Sequence, residues 1–427
     1  MVDLLLLLAV FLVLLASGVP VAFAIGAAST VMLILDGGSP MTIARQTFSG
    51  VNSFILVAVP MFVFAGELLL RSGMTRSLTD LADLLVGRTR GGLGHTNVVA
   101  SVFFSGVTGS ATADTTAIGS VMIPAMAEKG YGRAYSAALT VASSVIGAIL
   151  PPSLTFVIYA LAVGDVSIGG LFAAGLVPGI LTALALMLMN WYVSHRRGYP
   201  KREHRYTLSH AFTTIRRALV VLVNPSVNAY GIISGAFTAT EAAAVAAAYA
   251  VIIGLILRIL HLDTLITAAY ESAKTSSIML LLLATSSLLS YVLVTQGAPE
   301  LLSQGFAVIA DNWVVFLIFI NIALLLIGTV VDLFPAILIF GPILAPIAAQ
   351  YDIDPLHFGV VFCVNLLIGL NTPPVGSGLF IGSAIAKVPF EEIVKEVMPF
   401  VCIQVIVLLL ISYIPSITVW LPRVFGY

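Results

Sequence analysis

The sequence predicts an all-α protein that crosses or enters a membrane many times. Of the 427 residues, 59% are hydrophobic and only 9% are charged, and the mean hydropathy is +1.10. Soluble domains carry about 25% charged residues, so the solvent that suits this chain is a lipid bilayer. Its apolar stretches are long and unbroken, and they lack the alternation of β-barrel strands, which indicates helices.

Apolar stretches long enough to span or enter a bilayer follow one another along the chain. No Lys or Arg precedes Arg45, so we interpret the first stretch as a retained helix and not as a cleaved signal peptide. We expect about ten to twelve such segments. They lie at 4–17, 18–36, 52–70, 95–107, 117–127, 134–150, 154–194 (two), 218–260 (two), 277–294, 312–327, 330–349, 356–370 and 396–421.

A basic segment at residues 195–217 interrupts the chain near its midpoint. Its cationic residues are Arg196, Arg197, Lys201, Arg202, Arg205, Arg216 and Arg217. Loops rich in Lys and Arg stay on the cytoplasmic side of a membrane, so this segment is predicted to be a cytoplasmic loop. The net charge of −1 does not indicate a nucleic-acid partner.

The two halves on either side of the basic segment contain an internal repeat. At an offset of 222 residues, the matching positions include Gly119 and Gly341, Pro124 and Pro346, and Pro151-Pro152 and Pro373-Pro374. Two consecutive prolines inside an apolar run break a helix, because proline lacks an N–H and clashes with the preceding turn. Corresponding breaks in two halves point to the binding site of a transporter.

A polar segment precedes each break. In the first half, SGVTGSATADTTAIG (105–119) is rich in glycine and hydroxyl residues and predicts the tip of a re-entrant hairpin. In the second half, GTVVDLFPAILIFGP (328–342) is marked by Asp332 and Pro335. A carboxylate such as Asp114 costs about 2.5–3.5 kcal/mol at the centre of a membrane helix, so a function or a buried partner must offset that cost.

The polar segments and the breaks together offer hydroxyls, one amide and free backbone carbonyls. Such neutral oxygen ligands suit a monovalent alkali cation, and helix N-termini that face them favour an anion. A divalent metal would need more carboxylates or a cluster of histidines. Motifs for ATP hydrolysis, metalloproteases and serine hydrolases are absent from the sequence. An intramembrane aspartyl hydrolase that uses Asp114 and Asp332 as a carboxylate dyad is the enzyme alternative.

Two local pairs have structural interpretations. Glu67 and Arg71 are one helical turn apart and are predicted to form an ion pair near the membrane interface. Thr238 and Glu241 have the spacing of a capping box that begins a helix.

At these motifs the chain resembles the large membrane subunit of the tripartite ATP-independent periplasmic (TRAP) transporters, of the dicarboxylate-permease type. The resemblance implies two inverted repeats, each with a re-entrant hairpin and a broken helix, in an elevator-type architecture. The matching stretches are VPMFVFAGELLL (59–70), GGLGHTNVVASVFFSGVTGSATADTTAIG (91–119), GYGRAYSAALTVASSVIGAILPPS (130–153), SIGGLFAAGLVPG (167–179), GAFTATEAAAV (235–245) and GLNTPPVGSGLF (369–380).

The resemblance also implies which residues bind the ion and the substrate. The sodium-binding residues would be Ser110, Thr112, Asp114, Gly147 and Pro151 in the first half and Asp332, Gly369, Asn371 and Thr372 in the second. The substrate would lie between the two tips, near Ser153, Val375, Gly376 and Ser377.

The function implied is sodium-driven import of small organic anions, chiefly carboxylates, across the bacterial inner membrane. The partners implied are a soluble periplasmic binding protein that delivers the substrate and a small four-helix membrane subunit that completes the scaffold. Sodium ions would couple transport, and no other cofactor is expected. A stand-alone sodium/dicarboxylate symporter of related architecture is the alternative transporter.

The predicted organisation has five parts. They are N-terminal scaffold helices at 1–50, a first inverted repeat at 51–194 with its hairpin near 105–119, the basic loop at 195–217, a second inverted repeat at 218–395 with its hairpin near 328–342 and its broken helix near 369–376, and a C-terminal helix at 396–427.

Overall fold

A computed structural model describes residues 2–201 and 207–427. Arg202 and Arg205, two of the cations of the basic segment, lie outside the described residues. Within the described ranges the chain is built from α-helices joined by short connections. The exceptions there are a short 3-10 helix, Phe54–Val57, and an isolated β-bridge between Arg90 and Lys201.

The α-helices are numbered in chain order. They are α1 Val2–Ala16, α2 Val21–Leu35, α3 Pro40–Ser49, α4 Ala58–Arg71, α5 Thr75–Val86, α6 Gly92–Thr108, α7 Ala111–Glu128, α8 Arg133–Ile149, α9 Leu154–Val163, α10 Ile168–Arg197, α11 Leu208–Ile233, α12 Ala239–Ile256, α13 Leu262–Thr295, α14 Ala298–Ile309, α15 Trp313–Val330, α16 Leu333–Gln350, α17 Pro355–Gly369, α18 Ser377–Ala386, α19 Phe390–Tyr413 and α20 Ser416–Val424.

The helical polytopic membrane fold is confirmed. Among the described residues, seven helical segments are long and apolar enough to cross a membrane. The pair α8 and α9, bent by 52° at its break, makes an eighth candidate if it is counted as one span. Helices α1, α2, α17 and α18 are apolar but shorter, as expected for segments that enter the bilayer without crossing it alone.

Hairpins and broken helices occur at matching places in both halves. Helices α6 and α7 form one hairpin with its tip at Gly109, and α15 and α16 form the other. Helices α7 and α16 begin 222 residues apart, as do α8 and α17. The breaks follow at 150–153 and 370–376, and both Pro-Pro bonds are cis. The helix boundaries therefore follow the offset that the sequence shows.

The two repeats run in opposite directions along α10. Helix α8 begins near the C-terminal end of α10, where the Tyr135 hydroxyl donates to Asn190 Oδ1 at 2.8 Å. Helix α17 begins near the other end, where a Cβ added to Gly170 would lie 2.9 Å from the Leu356 methyl carbons. A 30-residue helix is about 45 Å long. Equivalent helices thus start at opposite ends of one spanning helix, which makes the repeats inverted.

The repeats also share buried polar contacts at equivalent positions. The contact of Tyr135 with Asn190 in the first repeat corresponds at the same offset to that of His357 with Ser412 in the second. There, the Nε2 atom of His357 lies 3.1 Å from the backbone carbonyl of Ser412. The residue types differ, but both contacts join the start of a broken helix to the long helix that follows it.

Three expectations about local structure need comment. The predicted loop at 195–217 is shorter, because 195–197 complete α10 and 208–217 are already in α11; apolar positions continue the helical pattern at both ends. Residue 396 lies inside α19, so the C-terminal helix begins earlier. Pro335 does not interrupt a helix: it occupies the first turn of α16, where an N–H has no helical acceptor.

Both structural interpretations of local pairs are confirmed. The Nε atom of Arg71 lies 2.9 Å from the Glu67 carboxylate. The Thr238 hydroxyl accepts from the Glu241 N–H, and the Glu241 carboxylate accepts from the Thr238 N–H at 2.8 Å. This capping box begins α12.

Candidate functional site

The first hairpin tip touches the first break directly. The N–H of Leu154 donates to the carbonyl of Gly109 at 3.2 Å. Gly109 has a φ of 59°, and a Cβ added there would lie 2.5 Å from the carbonyl oxygen of Pro152. Glycine is therefore required at the tip both for its left-handed backbone and for this close approach. Unwound backbone from two elements meets here inside the protein.

The first break is enclosed. Residues 135–160 are all buried. The hydroxyl of Ser153 caps α9 by accepting from the Phe156 N–H at 3.3 Å, and it donates to the carbonyl of Ala148. This hydrogen bonding satisfies one of the carbonyls that the end of α8 leaves free.

Asp114 lies in the first turn of α7 and faces α8. Its side chain is fully buried, and neither carboxylate oxygen has a hydrogen-bond partner. A Cβ added to Gly147 would lie 2.9 Å from Asp114 Oδ2, so the glycine provides the space for the carboxylate. An unpaired buried carboxylate is costly, and a bound cation or proton at this place would relieve that cost.

Ser110 and Thr112 lie on a different side of the tip. Their hydroxyl oxygens are 3.1 Å apart. With Thr108 and Glu67 they line a cavity of about 260 Å³ between the hairpin and helices α4 and α13. Asp114 and Gly147 do not line this cavity. The first predicted sodium set is therefore divided between an enclosed part at α8 and a part that faces the cavity.

The second hairpin and break are also joined through backbone. The N–H of Gly376 donates to the carbonyl of Thr329 at 3.2 Å. Gly328 and Gly369 pack so closely that a Cβ on Gly369 would lie 2.6 Å from the Gly328 Cα. Asp332 stands at the N-cap of α16 and is exposed, with the Ser377 hydroxyl 3.4 Å from its Oδ1.

Asn371 ties the second break to the first repeat. Its Nδ2 donates to the carbonyl of Val141 in α8 at 2.7 Å, whereas its Oδ1 has no partner. Gln404 of α19 donates in the same way to the next carbonyl, that of Ala142, at 2.9 Å. The hydroxyl of Thr372 bonds locally to the carbonyl of Ile368 at 2.8 Å.

Sequence reasoning missed Gln404. A long amide within the apolar stretch 396–421 is a signal that could have identified it, because a buried polar side chain at membrane depth needs a partner. The partner itself, a backbone carbonyl in the other repeat, could not be recognised from the sequence.

The residues predicted to contact substrate divide between the two junctions. Ser153 is 1% exposed and Val375 is 40% exposed. Within the described chain, no hydrogen bond joins Ser153 to residues 375–377. The second break is thus the more accessible of the two.

The structure does not assemble a carboxylate dyad from Asp114 and Asp332. Asp114 makes no hydrogen bond, whereas a dyad shares a proton between its two carboxylates. At the repeat offset Asp332 corresponds to Ser110 and not to Asp114. Among the described residues there is also no group of three or more His, Cys, Asp or Glu that could hold a metal ion.

Comparison with known proteins places this geometry in a family. The sequence pattern of the family described as "Tripartite ATP-independent periplasmic transporter, DctM component" matches residues 8–417. The chain is 37% identical to the sialic acid TRAP transporter large permease protein SiaM of Vibrio cholerae, over 97% of each chain. It is 33% identical to the C4-dicarboxylate TRAP transporter large permease protein DctM of Rhodobacter capsulatus, again over 97% of each.

Two further similarities concern architecture. The isethionate TRAP transporter permease protein DctMQ of Oleidesulfovibrio alaskensis is 36% identical over 95% of this chain but only 64% of its own length. The solved structure of the Alcanivorax borkumensis YdaH transporter has a TM-score of 0.65 and 14% sequence identity, and it covers 91% of this chain and 89% of its own. At that identity the match concerns the fold alone. Taken with the matched pattern and the near-complete alignments, the chain belongs to the DctM family, the large permease component of tripartite ATP-independent periplasmic transporters.

Proposed function

We propose that this chain is a sodium-coupled permease subunit that imports small carboxylates delivered by a periplasmic binding protein. The observation that carries the proposal is the pair of junctions in which a hairpin tip meets a broken helix. Each junction brings backbone carbonyls, hydroxyl side chains and free helix ends together at membrane depth. Such places coordinate coupling ions and substrate anions in secondary transporters.

Sodium as the coupling ion is supported by the chemistry of the oxygen atoms. The ligand groups available at the junctions are hydroxyls and carbonyls, with Asp114 as the one enclosed carboxylate. One negative charge among neutral oxygens matches a monovalent cation better than a divalent one. We assign the first ion to the junction of Gly109 with residues 147–151, near Asp114, and the second to the junction of Thr329 with residues 369–376.

The substrate class and the partners are supported by the relatives. Their names specify sialic acid, a C4-dicarboxylate and isethionate, all small organic anions. The fused DctMQ relative is longer than the region that this chain matches, which supports a separate small membrane subunit here. We therefore expect a binding protein in the periplasm and this chain in the inner membrane, with its basic segment in the cytoplasm.

The inverted repeats support an elevator-type movement. Hairpins and broken helices pack on one another across the two repeats, so they would move as one body relative to the remaining helices. The charge carried per cycle follows from ion number: two sodium ions with a dianion carry none, whereas a monoanion leaves one charge, worth about 2.3 kcal/mol at 100 mV. Membrane current during uptake distinguishes these cases.

Uptake in proteoliposomes tests the proposal. Vesicles containing this chain and its small membrane subunit should accumulate a carboxylate only when a sodium gradient and the cognate binding protein are both present. A potassium gradient of equal size is the control. Uptake without sodium dependence would overturn the ion assignment. Uptake by this chain alone, without the binding protein, would favour the stand-alone symporter.

A further inference from the structure

A cavity of about 830 Å³ lies away from both junctions. Helices α9, α10 and α16 form one wall, and the 3-10 helix, α12 and α13 form the other. None of the residues predicted to bind sodium or substrate lines it. The cavity adjoins residues 167–169 at the start of α10. That end of α10 is opposite the basic segment, so by the positive-inside rule the cavity is on the periplasmic side.

Serines on α13 present free hydroxyls to this cavity. Hydroxyl residues in membrane helices usually donate to a carbonyl one turn earlier, and Ser277 and Thr285 of α13 do so at 2.7 and 3.0 Å. The cavity-lining Ser286, Ser287 and Ser290 make no hydrogen bond with any described residue. Ser286 is only 3% exposed, and its hydroxyl has no partner. Buried hydroxyls without partners are unfavourable, so a bound polar molecule would satisfy these serines.

Two helix N-termini open into the same cavity. Ser167 caps α10 and Thr238 caps α12, each accepting from one N–H further along its helix. The N–H groups of the first two residues in each helix, at 168–169 and 239–240, donate to no described atom, and all four residues line the cavity. Free N–H groups at the positive end of a helix bind anions.

The side chains around the cavity carry no formal charge. Among the described lining residues there is no Lys, Arg, His, Asp or Glu. The nearest acid by sequence, Glu241, does not line the cavity, because its carboxylate is held by the Thr238 N–H and hydroxyl. An anion would therefore be bound by backbone N–H groups and hydroxyls, and not by a cationic side chain.

We propose that this cavity binds a polyhydroxylated carboxylate, such as a sugar acid, before it reaches the junctions. The carboxylate group would lie at the N-termini of α10 and α12, and the hydroxyl groups would pair with the α13 serines. A plain dicarboxylate would leave the serines unpaired, and sites built to bind hydroxyl groups discriminate strongly against analogues that lack them. The volume is within the usual range for small-molecule sites. This inference rests on the proposed import of organic anions and narrows their class.

Calorimetric titration of the full chain in lipid nanodiscs tests the inference. The probe is D-gluconate, a six-carbon hydroxylated monocarboxylate. Adipate keeps the chain length but has no hydroxyls, and sorbitol keeps the hydroxyls but has no carboxylate. We expect gluconate to bind at least about tenfold more tightly than either analogue. Replacing both Ser286 and Ser290 by Ala should weaken gluconate binding at least about tenfold.

Ser277→Ala is the matched control, because it removes a hydroxyl from the same helix that is already bonded to Ala273. It should leave gluconate binding unchanged. Failure of gluconate to bind, equal binding of adipate, or equal loss in the control would overturn the inference. Displacement of a co-purified lipid without any gluconate binding would identify the cavity as a lipid site instead. Sodium-driven uptake, measured separately, reports on the proposed function and can succeed when this inference fails.

Discussion

At the scale of single residues, the most informative contact is that between Asp114 and Gly147. The carboxylate is enclosed, has no donor nearby, and occupies the space that glycine leaves on α8. The pairing explains why a charged residue is present in a segment where it is costly. Neither residue alone would mark the position, since small residues are common wherever membrane helices pack closely.

Asp114→Asn tests the role of this carboxylate. The amide keeps the size but cannot balance the charge of a cation, so we expect the sodium concentration for half-maximal uptake to rise about 10- to 100-fold, where each tenfold step is about 1.4 kcal/mol. Uptake assays over a range of sodium concentrations measure it. Asp165→Asn, at an exposed carboxylate after α9, is the control. An unchanged sodium dependence in Asp114→Asn would contradict the assignment.

Asn371→Ala tests the bond between the repeats. It removes the donor to the Val141 carbonyl and should lower the free energy of unfolding by about 1–3 kcal/mol, because a buried acceptor loses its partner. Reversible unfolding in mixed detergent measures the change. Thr267→Ala, which removes only an exposed bond within α13, should have an effect below about 0.5 kcal/mol. Equal effects would show that the bond is not a specific stabilising contact.

At the scale of elements, each junction combines a hairpin tip with a break, and the two junctions differ in exposure. The first is enclosed by buried residues on all sides, whereas Val375 and Pro374 of the second are exposed. Asn371 and Gln404 donate to consecutive carbonyls of α8, so elements of the second repeat hold a helix of the first. Both junctions are thereby linked through α8.

Gly109→Ala tests the close approach of tip and break. An alanine Cβ would lie 2.5 Å from the Pro152 carbonyl oxygen, which forces the tip and the break apart, and we expect uptake to fall at least about tenfold. Gly130→Ala is the control. It shares a positive φ, of 86°, but its added Cβ would meet nothing within 4 Å, so it carries the backbone cost alone, about 1 kcal/mol. Equal loss of uptake in both variants would attribute the effect to backbone strain.

At the scale of the whole molecule, α10 sets the orientation. Its C-terminal end carries Arg196 and Arg197, and Arg197 pairs with Glu396 at 2.8 Å near the start of α19. Its N-terminal end adjoins the cavity and the start of α17. The inverted repeats and the positive-inside rule therefore agree on a single placement of the chain in the membrane.

Cysteine labelling tests that placement. In a variant without Cys363 and Cys402, a membrane-impermeant maleimide should label Asp311→Cys in spheroplasts, because Ala310 accepts a bond from Tyr351 close to the start of α17. Ser209→Cys, at the start of α11 beside the basic segment, should be labelled only after lysis. Both positions are exposed. The reverse pattern would invert the topology and move the 830 Å³ cavity to the cytoplasmic side.

Much of the architecture could be predicted from the sequence because its signals are local. Hydropathy determines that the chain enters a bilayer, and the twin Pro-Pro pairs determine where helices break, since proline excludes a helical N–H bond wherever the chain folds. The offset of 222 residues between α7 and α16 follows from the same signals. Motif resemblance indicated the family, and matches over nearly the whole chain confirmed it.

Only the tertiary structure decided which oxygen atoms face one another. Ser110 and Asp114 are four residues apart in sequence, yet the first faces a cavity and the second faces Gly147. The bond from Asn371 to Val141 and the free serines of the periplasmic cavity likewise depend on which helices become neighbours. Each residue rotates a side chain by about 100° around a helix, so a sequence shows which polar atoms enter the membrane, whereas packing between helices determines what they bind.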